Sequence, residues 1–357
     1  MDINQSRPGG AARWRIGARA AGRRNDNVHG FSARSRPQLR NRLPCDPPIA
    51  SAARDARGLN RGRLSWQLWG GLKGCEEPQN RSRMTASNSP IGILDSGFGG
   101  LNVLREAMAL LPRERFVYYG DFAHAPYGSK SATQVAGYVA SACDALLERG
   151  AKALVLACNT ATSAAVANLR ARLTVPVIGM EPALKPAAAA HPGGRLLVMA
   201  TELTLRERKF QDLMARVAGG CVVDPLPCPG LAGAVDTGDL DAAMRRAREL
   251  LNAHPAARQA AAVVLGCSHY AFAARAIREW FGGAIALYEG SRGTARRLAA
   301  ALEEQGLRAP NPAGDPETVD SDLARVGFVL PGAAGDATKT AMRLLRNLDD
   351  NPGRTSA

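Results

Sequence analysis

The sequence predicts an α/β fold of two similar lobes, each a mainly parallel sheet flanked by helices, with the active site in the cleft between them. From residue 91 onward, short apolar runs alternate with Ala- and Leu-rich amphipathic segments. This alternation is typical of repeated βα units with parallel strands. Two strand–turn–helix segments 109 residues apart also share one pattern, which indicates that the fold contains two similar halves.

The individual helices and strands are predicted in chain order from the spacing of apolar residues, which repeats about every 3.6 residues in a helix and every 2 residues in a strand. A polar segment beginning at Met84 leads into the apolar run Ile91–Leu94, which predicts the first strand, and the amphipathic segment Leu101–Leu111 predicts the first helix. The predicted strands are Ile91–Leu94, Phe116–Tyr119, Ala153–Ala157, Val175–Ile178, Leu196–Met199, Cys221–Val223, Ala262–Leu265 and Ala284–Leu287. The predicted helices are Leu101–Leu111, Ser131–Glu148, Ala161–Leu173, Leu203–Val217, Leu240–Leu251, Ala271–Phe281 and Thr294–Glu304.

The repeated pattern places one cysteine in each half. Leu154–Thr160 and Val263–His269 each contain three apolar β-formers, a small residue, a cysteine and two polar residues. Cys158 and Cys267 would therefore lie at the carboxyl ends of parallel strands, where α/β sheets bind ligands.

The net charge is concentrated in the N-terminal quarter of the chain. Residues 1–83 carry 17 basic and 6 acidic side chains, which accounts for +11 of the formal charge of +14 over 357 residues. This Arg-rich segment shows no sustained period, so we predict either a disordered extension or a misassigned start with Met84 as the true one. An organellar presequence and a nucleic-acid-binding arm are the competing interpretations. The near-neutral remainder makes nucleic acid an unexpected partner for the core.

Several protein classes are excluded by composition. No stretch reaches the roughly 18 apolar residues of a membrane-spanning helix, and the N-terminus lacks the apolar core of a secretory signal, so we expect a cytoplasmic protein without a membrane partner. Seven cysteines, an odd number without framework spacing, argue against a disulfide scaffold. Neither Cys-x-x-Cys nor His-x-x-x-His occurs, so no metal site is expected.

The two cysteines suggest proton-transfer chemistry. The amino end of a helix lowers a thiol pKa, and bringing it from about 8.5 to about 7 requires roughly 2 kcal/mol of thiolate stabilisation. Two such thiols on opposite walls of one cleft could remove a proton from one face of a carbon atom and return another to the opposite face. Racemisation without a cofactor requires this arrangement. We interpret Cys143 and Cys221 as structural and Cys228 as a loop residue.

Other polar residues near the predicted strand ends could assist. Asp95 precedes the glycine-rich turn 96–100, whose backbone N–H groups could approach a carboxylate; as an alternative, Asp95 only caps the helix. His269, beside Cys267, could be a general acid or base.

The motifs together resemble the glutamate racemase family of the aspartate/glutamate racemase superfamily, over about residues 90–305. The matching segments are Ile93–Leu101, Tyr119–Asp121, Ala125–Gly128, Ala157–Thr162, Gly179–Ala183, Cys228–Leu231 and Leu265–Tyr270.

This resemblance implies interconversion of L- and D-glutamate without a cofactor, and supply of D-glutamate for peptidoglycan. It implies that Cys158 and Cys267 are the catalytic acid/base residues, with Asp95 assisting Cys158 and His269 assisting Cys267. The positions that it assigns to substrate binding are Ser96, Tyr127, Gly128, Asn159, Thr160 and Ser268.

Five positions depart from the family pattern. Ser268 stands where Thr is usual, Leu203 where Gly is usual, Ala271 where Pro is common and Phe122 where a small hydroxyl residue is usual. Asp236 replaces the usual Glu, which puts its role as a charge near the site in doubt.

The predicted domain organisation follows from these assignments. The predicted regions are the Arg-rich extension 1–83, a first lobe formed by 84–181 plus 289–347, a second lobe 182–288, and a tail 348–357. An aspartate or other amino-acid racemase remains an alternative, and so does nucleic-acid binding through residues 1–83. The family often forms dimers, but no exposed stripe in the sequence identifies a homodimer interface.

Overall fold

The structure is a computed structural model that describes residues 86–310 and 322–349. The Arg-rich segment and the predicted start at Met84 lie outside these residues. In the described part, no helix is both long and apolar enough to cross a bilayer.

The first sheet has five parallel strands. They are β1 (Ile91–Asp95), β2 (Phe116–Gly120), β3 (Ala153–Leu156), β4 (Val177–Gly179) and β9 (Val326–Val329). Their order across the sheet is β4-β3-β1-β2-β9, with Ile91 paired to Phe116 on one side and Ala153 on the other.

The second sheet repeats this arrangement with four parallel strands. They are β5 (Arg195–Ala200), β6 (Val222–Pro227), β7 (Ala262–Leu265) and β8 (Ala286–Tyr288). The order β8-β7-β5-β6 matches β4-β3-β1-β2 strand for strand. The predicted class is therefore confirmed: two parallel sheets of equivalent topology, the first extended by β9.

Eleven helices flank the sheets in the described residues. They are α1 (Leu101–Leu110), α2 (Ala132–Glu148), α3 (Asn159–Arg172), α4 (Leu184–Ala190), α5 (Glu202–Arg206), α6 (Arg208–Val217), α7 (Leu231–Asp236), α8 (Leu240–Ala253), α9 (Ala274–Trp280), α10 (Ser291–Glu304) and α11 (Ala337–Asp349). On one face of the first sheet, Ile91 and Ile93 pack with residues of α1, α10 and α11, whereas Leu94 packs on the other face with α2 and α3.

Some element boundaries differ from the sequence prediction. The single helix predicted over Leu203–Val217 is two helices, because Glu207 adopts an extended conformation between α5 and α6. The helix predicted from Ala271 begins at Ala274, after a 3₁₀ segment that covers Ser268–Ala273. Strand β6 is longer than predicted and contains two prolines, which an edge strand tolerates because one side needs no hydrogen-bond donors.

Four elements were not predicted at all. These are α4, α7, β9 and α11. Strand β9 has only four residues, one of them Gly327, and its residues are only half-buried. Its pairing with β2 supplies the stability that its own sequence pattern does not indicate.

A buried ion pair stabilises the amino end of the first sheet. Lys152 Nζ lies 2.6 Å from Glu114 Oε2, and both side chains are almost fully buried. Lys152 also donates to the Ser87 carbonyl at 2.5 Å, and Glu114 accepts the backbone N–H of Ala309 at 2.8 Å. The pair thus joins four chain segments at the end opposite the cysteines.

Candidate active site

Cys158 lies at the junction of β3 and α3, as predicted. It is the N-cap residue of α3, and its Sγ accepts the backbone N–H of Ala161 at 3.5 Å. The residue is buried, with 4% of its surface exposed. Its sulfur therefore occupies the position that a Ser or Asp oxygen usually takes at a helix start.

The expectation that the helix would lower the pKa of this thiol is wrong in this structure. The pKa of Cys158 is raised to about 12, first by burial and then by the charges of Asp95 and Cys267. The hydrogen bond from Ala161 and the charge of His269 act in the opposite direction but are weaker. Desolvation of the buried thiol thus outweighs the helix terminus.

Cys267 occupies the equivalent place in the second lobe, after β7. Its sulfur makes no cap hydrogen bond, because a 3₁₀ segment follows it where α3 follows Cys158. Its Sγ instead lies 3.8 Å from Nδ1 of His269. The two thiols are close enough for a charge on Cys267 to raise the pKa of Cys158.

Asp95 links the two lobes directly. It ends β1 and is fully buried, and its Oδ1 accepts the backbone N–H of Gly97 at 2.9 Å. Its Oδ2 accepts the hydroxyl of Ser268, from the second lobe, at 2.8 Å. Burial raises the pKa of Asp95, although His269, Gly97 and Ser268 oppose the shift.

Asp236 lies at the site, contrary to the doubt that its substitution for Glu raised. It is the last residue of α7, and its Oδ1 lies 2.9 Å from Nε2 of His269 and accepts the backbone N–H of Phe98 at 2.9 Å. Burial alone would lower the pKa of His269, but Asp236, followed by Asp95, raises it well above the usual value. The carboxylates of Asp236 and Asp95 thus favour the charged form of the imidazole beside Cys267.

Two glycines let the lobes approach this closely. A Cβ at Gly97 would lie 2.2 Å from Oδ1 of Asp236, and a Cβ at Gly99 would lie 2.3 Å from Nδ1 of His269. The predicted glycine-rich turn after β1 is thus the surface that meets the second lobe.

The other predicted residues of the first lobe line the same region. Ser96 is buried in the turn after β1, and Gly128 packs against the side chain of Thr201, where a Cβ would lie 2.8 Å away. Tyr127 is buried, and its hydroxyl donates to Asp121 at 2.6 Å.

Two predicted residues follow Cys158 directly. Asn159 is 2% exposed, and within the described residues neither its Nδ2 nor its Oδ1 has a hydrogen-bond partner. The hydroxyl of Thr160 lies 3.1 Å from those of Thr201 and Thr204, which are themselves 3.0 Å apart. Asn159 thus offers unused donors and an acceptor, whereas Thr160 bonds across the cleft.

Sequence reasoning did not identify several of these contacts. Asp121, Thr201 and Thr204 fall within or beside the recognised motifs, but their contacts to Tyr127 and Thr160 arise only in the fold. Across the described residues, no group of three or more His, Cys, Asp or Glu side chains could hold a metal ion.

Cys228 also approaches the second-lobe cysteine. It follows β6 in a loop, as predicted, and burial raises its pKa, with a further contribution from Cys267. The hydroxyl of Tyr270 donates to its carbonyl at 3.2 Å. Cys143, by contrast, is buried in α2, where burial raises its pKa to about 12.

Comparison with known proteins gives consistent matches. The family model of the Asp/Glu/Hydantoin racemases matches residues 102–306. Over 225 residues the chain is 44% identical to the glutamate racemase of Clostridium perfringens, which covers 62% of this chain and 86% of that protein.

Solved structures agree with the sequence matches. The glutamate racemase of Thermus thermophilus in complex with β-chloro-D-alanine has a TM-score of 0.53 and 35% identity, covering 70% of this chain and 99% of that one. The Escherichia coli glutamate racemase in complex with L-glutamate and the activator UDP-MurNAc-Ala has a TM-score of 0.60 and 28% identity, covering 73% and 95%. These neighbours share the two-lobe fold.

Proposed function

The chain belongs to the Asp/Glu/Hydantoin racemase family, and on that premise we propose that it interconverts L- and D-glutamate by proton transfer between Cα and two cysteine thiols. It is a racemase, hence an isomerase. The observation that supports the two-thiol chemistry is the equivalence of Cys158 and Cys267, each two residues beyond corresponding strands of matched sheets and close enough to interact electrostatically.

The proposed reaction balances without an oxidant or a cofactor. A thiolate on one wall takes the proton of Cα–H, and the electron pair remains on the carbon, delocalised towards the α-carboxylate. The thiol on the opposite wall donates its proton to the other face, so the configuration inverts and the second cysteine becomes the thiolate. General acid–base catalysis of this kind contributes about 10²–10⁴-fold.

Because burial raises the pKa of Cys158, a thiolate there requires a counter-charge during turnover. The α-ammonium group of the amino acid would supply it, because a positive charge within about 4–6 Å favours a thiolate. Asp95, buried beside Cys158, would accept hydrogen bonds from that ammonium group. His269, whose charged form Asp236 favours, would stabilise a thiolate at Cys267 as the ammonium group would at Cys158.

Substrate binding is proposed at the polar groups that line the cleft. Buried polar groups without partners are rare, so the amide of Asn159 is well suited to bind a carboxylate or an ammonium group. The remaining proposed binding residues are Ser96, Tyr127, Gly128, Thr160 and Ser268.

The lobe boundaries, the cellular location, the biological role and the oligomeric state are part of the same proposal. We propose that the first lobe comprises 84–181 plus 289–347 and the second 182–288, which is consistent with the membership of the two sheets. We further propose a cytoplasmic enzyme that supplies D-glutamate for peptidoglycan and that forms a homodimer. Aspartate or another amino acid is the alternative substrate.

The test is an assay of the full chain with the L- and D-forms of glutamate, aspartate and alanine, with no cofactor added. We expect racemisation of glutamate from either enantiomer to the same final mixture. Faster turnover of aspartate would replace the substrate assignment, and a requirement for pyridoxal phosphate would contradict the two-thiol chemistry.

A further inference from the structure

We propose that Asn102 is a positioning residue that holds the Cys267–His269 turn in place from the opposite lobe. Asn102 is the second residue of α1, which belongs to the first lobe, and 1% of its surface is exposed. This inference rests on the racemase function proposed above.

The amide of Asn102 makes two hydrogen bonds, one within the first lobe and one to the second lobe. Its Nδ2 donates to the carbonyl of Gly99 at 2.9 Å and to the carbonyl of Ser268 at 2.9 Å. Because both neighbours are acceptors, only the nitrogen can face them, so the orientation of the amide is unambiguous. Both hydrogens of the NH₂ group are therefore committed to these carbonyls.

The other end of the same amide is unfavourable for stability. Within the described residues, Oδ1 of Asn102 has no hydrogen-bond donor. Leaving a buried acceptor unpaired destabilises the folded state. Its neighbours Leu101, Val103 and Leu104 are apolar and fully buried. An asparagine here is therefore better explained by what its nitrogen holds than by packing.

The two carbonyls that it holds lie beside the chemistry. Ser268 stands between Cys267 and His269, so its carbonyl sets the orientation of the peptide that leads into His269. Gly99 has its backbone nitrogen 3.2 Å from Nε2 of the same histidine. Asn102 thus holds two backbone segments beside His269 at once: that of Gly99 in the first lobe and that of Ser268 in the second.

Asn102 has a different task from Asp95. Asp95 binds the Ser268 side chain and lies beside Cys158, whereas Asn102 binds only main-chain atoms and contacts neither sulfur. Its loss should therefore disturb the Cys267 side of the site and leave the Cys158 side intact.

The direct test is Asn102→Ala, with Asn102→Ser as a second variant because serine is short and cannot reach both carbonyls. We expect kcat to fall by about 10- to 100-fold, the penalty for misplacing reacting groups by about 1 Å, with a much smaller change in KM. The matched control is Asn252→Ala. Asn252 is also a helical asparagine with a tertiary bond, accepting Nε1–H of Trp280 at 2.7 Å on the surface of the second lobe. Its activity should not change.

A double-mutant cycle separates positioning from general destabilisation. Asp236→Asn acts on the His269 side, so the loss caused by Asn102→Ala should shrink by at least about threefold in that background, a coupling of the size seen for residues in one network. Thr160→Val acts on the Cys158 side. In that background Asn102→Ala should reduce activity by the same factor as in the wild type, so the two losses multiply.

Four results decide the outcome. The positioning role is overturned if the wild type is active and Asn102→Ala causes no loss of activity. It is also overturned if the loss caused by Asn102→Ala multiplies with those of both Asp236→Asn and Thr160→Val. Either result leaves the racemase function standing. A wild type that racemises no amino acid overturns the proposed function and the inference with it. Coupling to Asp236→Asn alone, in folded variants with native circular dichroism, supports the inference.

Discussion

The two cysteine turns share a sequence pattern and a place in the sheet, yet they differ in what surrounds the sulfur. Cys158 caps a 14-residue α-helix and lies near the carboxylate of Asp95. Cys267 precedes a 3₁₀ segment and lies 3.8 Å from the imidazole of His269, whose pKa is raised by Asp236.

This contrast shows that a repeated strand–turn unit sets the backbone position of a reactive group but not its electrostatics. The charge near Cys158 comes from the neighbouring strand β1, and the charge near Cys267 comes from its own turn and from α7. The two thiols are therefore equivalent in position and unlike in the sign of the nearest charge.

The largest expected effect comes from removing either sulfur. Cys158→Ala and Cys267→Ala should each reduce racemisation by about 10³-fold or more, because each leaves one face of Cα without its acid or base. Progress curves from pure L- and pure D-glutamate measure the loss. Since the enantiomers have equal free energies, kcat/KM must stay equal in both directions, which checks the assay. Retention of more than a tenth of wild-type activity by either folded variant would contradict the equivalence of the two thiols.

Asp236→Asn tests the charge on the Cys267 side. It should lower kcat/KM by about 10- to 100-fold and shift the alkaline limb of its pH profile to lower pH, because Asp236 raises the pKa of His269. The raised pKa of His269 stabilises the folded state. This stabilisation is fully present below about pH 6.5, the ordinary pKa of histidine, and is lost as the pH rises through the pKa of His269 in the folded protein. The variant should therefore lose most thermal stability below about pH 6.5. An unmoved alkaline limb would show that His269 does not control it.

Asp95→Asn tests the charge on the Cys158 side. It should lower activity by about 10-fold or more, yet raise Tm at neutral pH. Burial raises the pKa of Asp95 above its ordinary 3.8, so the ionised form destabilises the fold at pH values above that range. Thermal unfolding at several pH values should show the gain at pH 7, at about 2–4 °C for each 1 kcal/mol, and little difference below about pH 4. A fall in Tm at pH 7 would contradict this sign.

The smallest expected effect is at a cysteine outside the cleft. Cys143→Ala in α2 should leave kcat and KM unchanged and cost about 1 kcal/mol of unfolding free energy through the small cavity that it creates. The high pKa that Cys143 shares with Cys158 means that titration alone does not separate structural from reacting thiols. A loss of activity in a folded Cys143→Ala variant would contradict the inference from position that Cys143 is structural whereas Cys158 reacts.

The parts of the fold that the sequence predicted are those specified locally. The apolar runs of β1, β3 and β7 and the polar residues after them indicate strand ends without any knowledge of the rest of the chain. The presence of two similar lobes followed from the repeat. The edge strand β9 was missed because its four half-buried residues depend on pairing with β2.

In the candidate site, too, the sequence predicted the residues of local motifs but not the contacts between distant segments. Asp95 and the two cysteines occupy local motifs, whereas the hydrogen bonds of Asn102 to Ser268 and of Phe98 to Asp236 join residues more than 130 positions apart. The direction of the pKa shift of Cys158 was mispredicted because helix position can be inferred from sequence, whereas the depth of burial depends on the tertiary packing around the thiol.

The most direct measurement is the fate of the Cα hydrogen when L-glutamate is turned over in D₂O and both enantiomers are analysed by mass at low conversion. Two thiols on opposite walls predict D-glutamate that carries one deuterium from its first appearance, while the remaining L-glutamate stays unlabelled. Deuterium entering the remaining L-glutamate as fast as D-glutamate forms, or D-glutamate that retains the original hydrogen, would mean that a single base serves both faces.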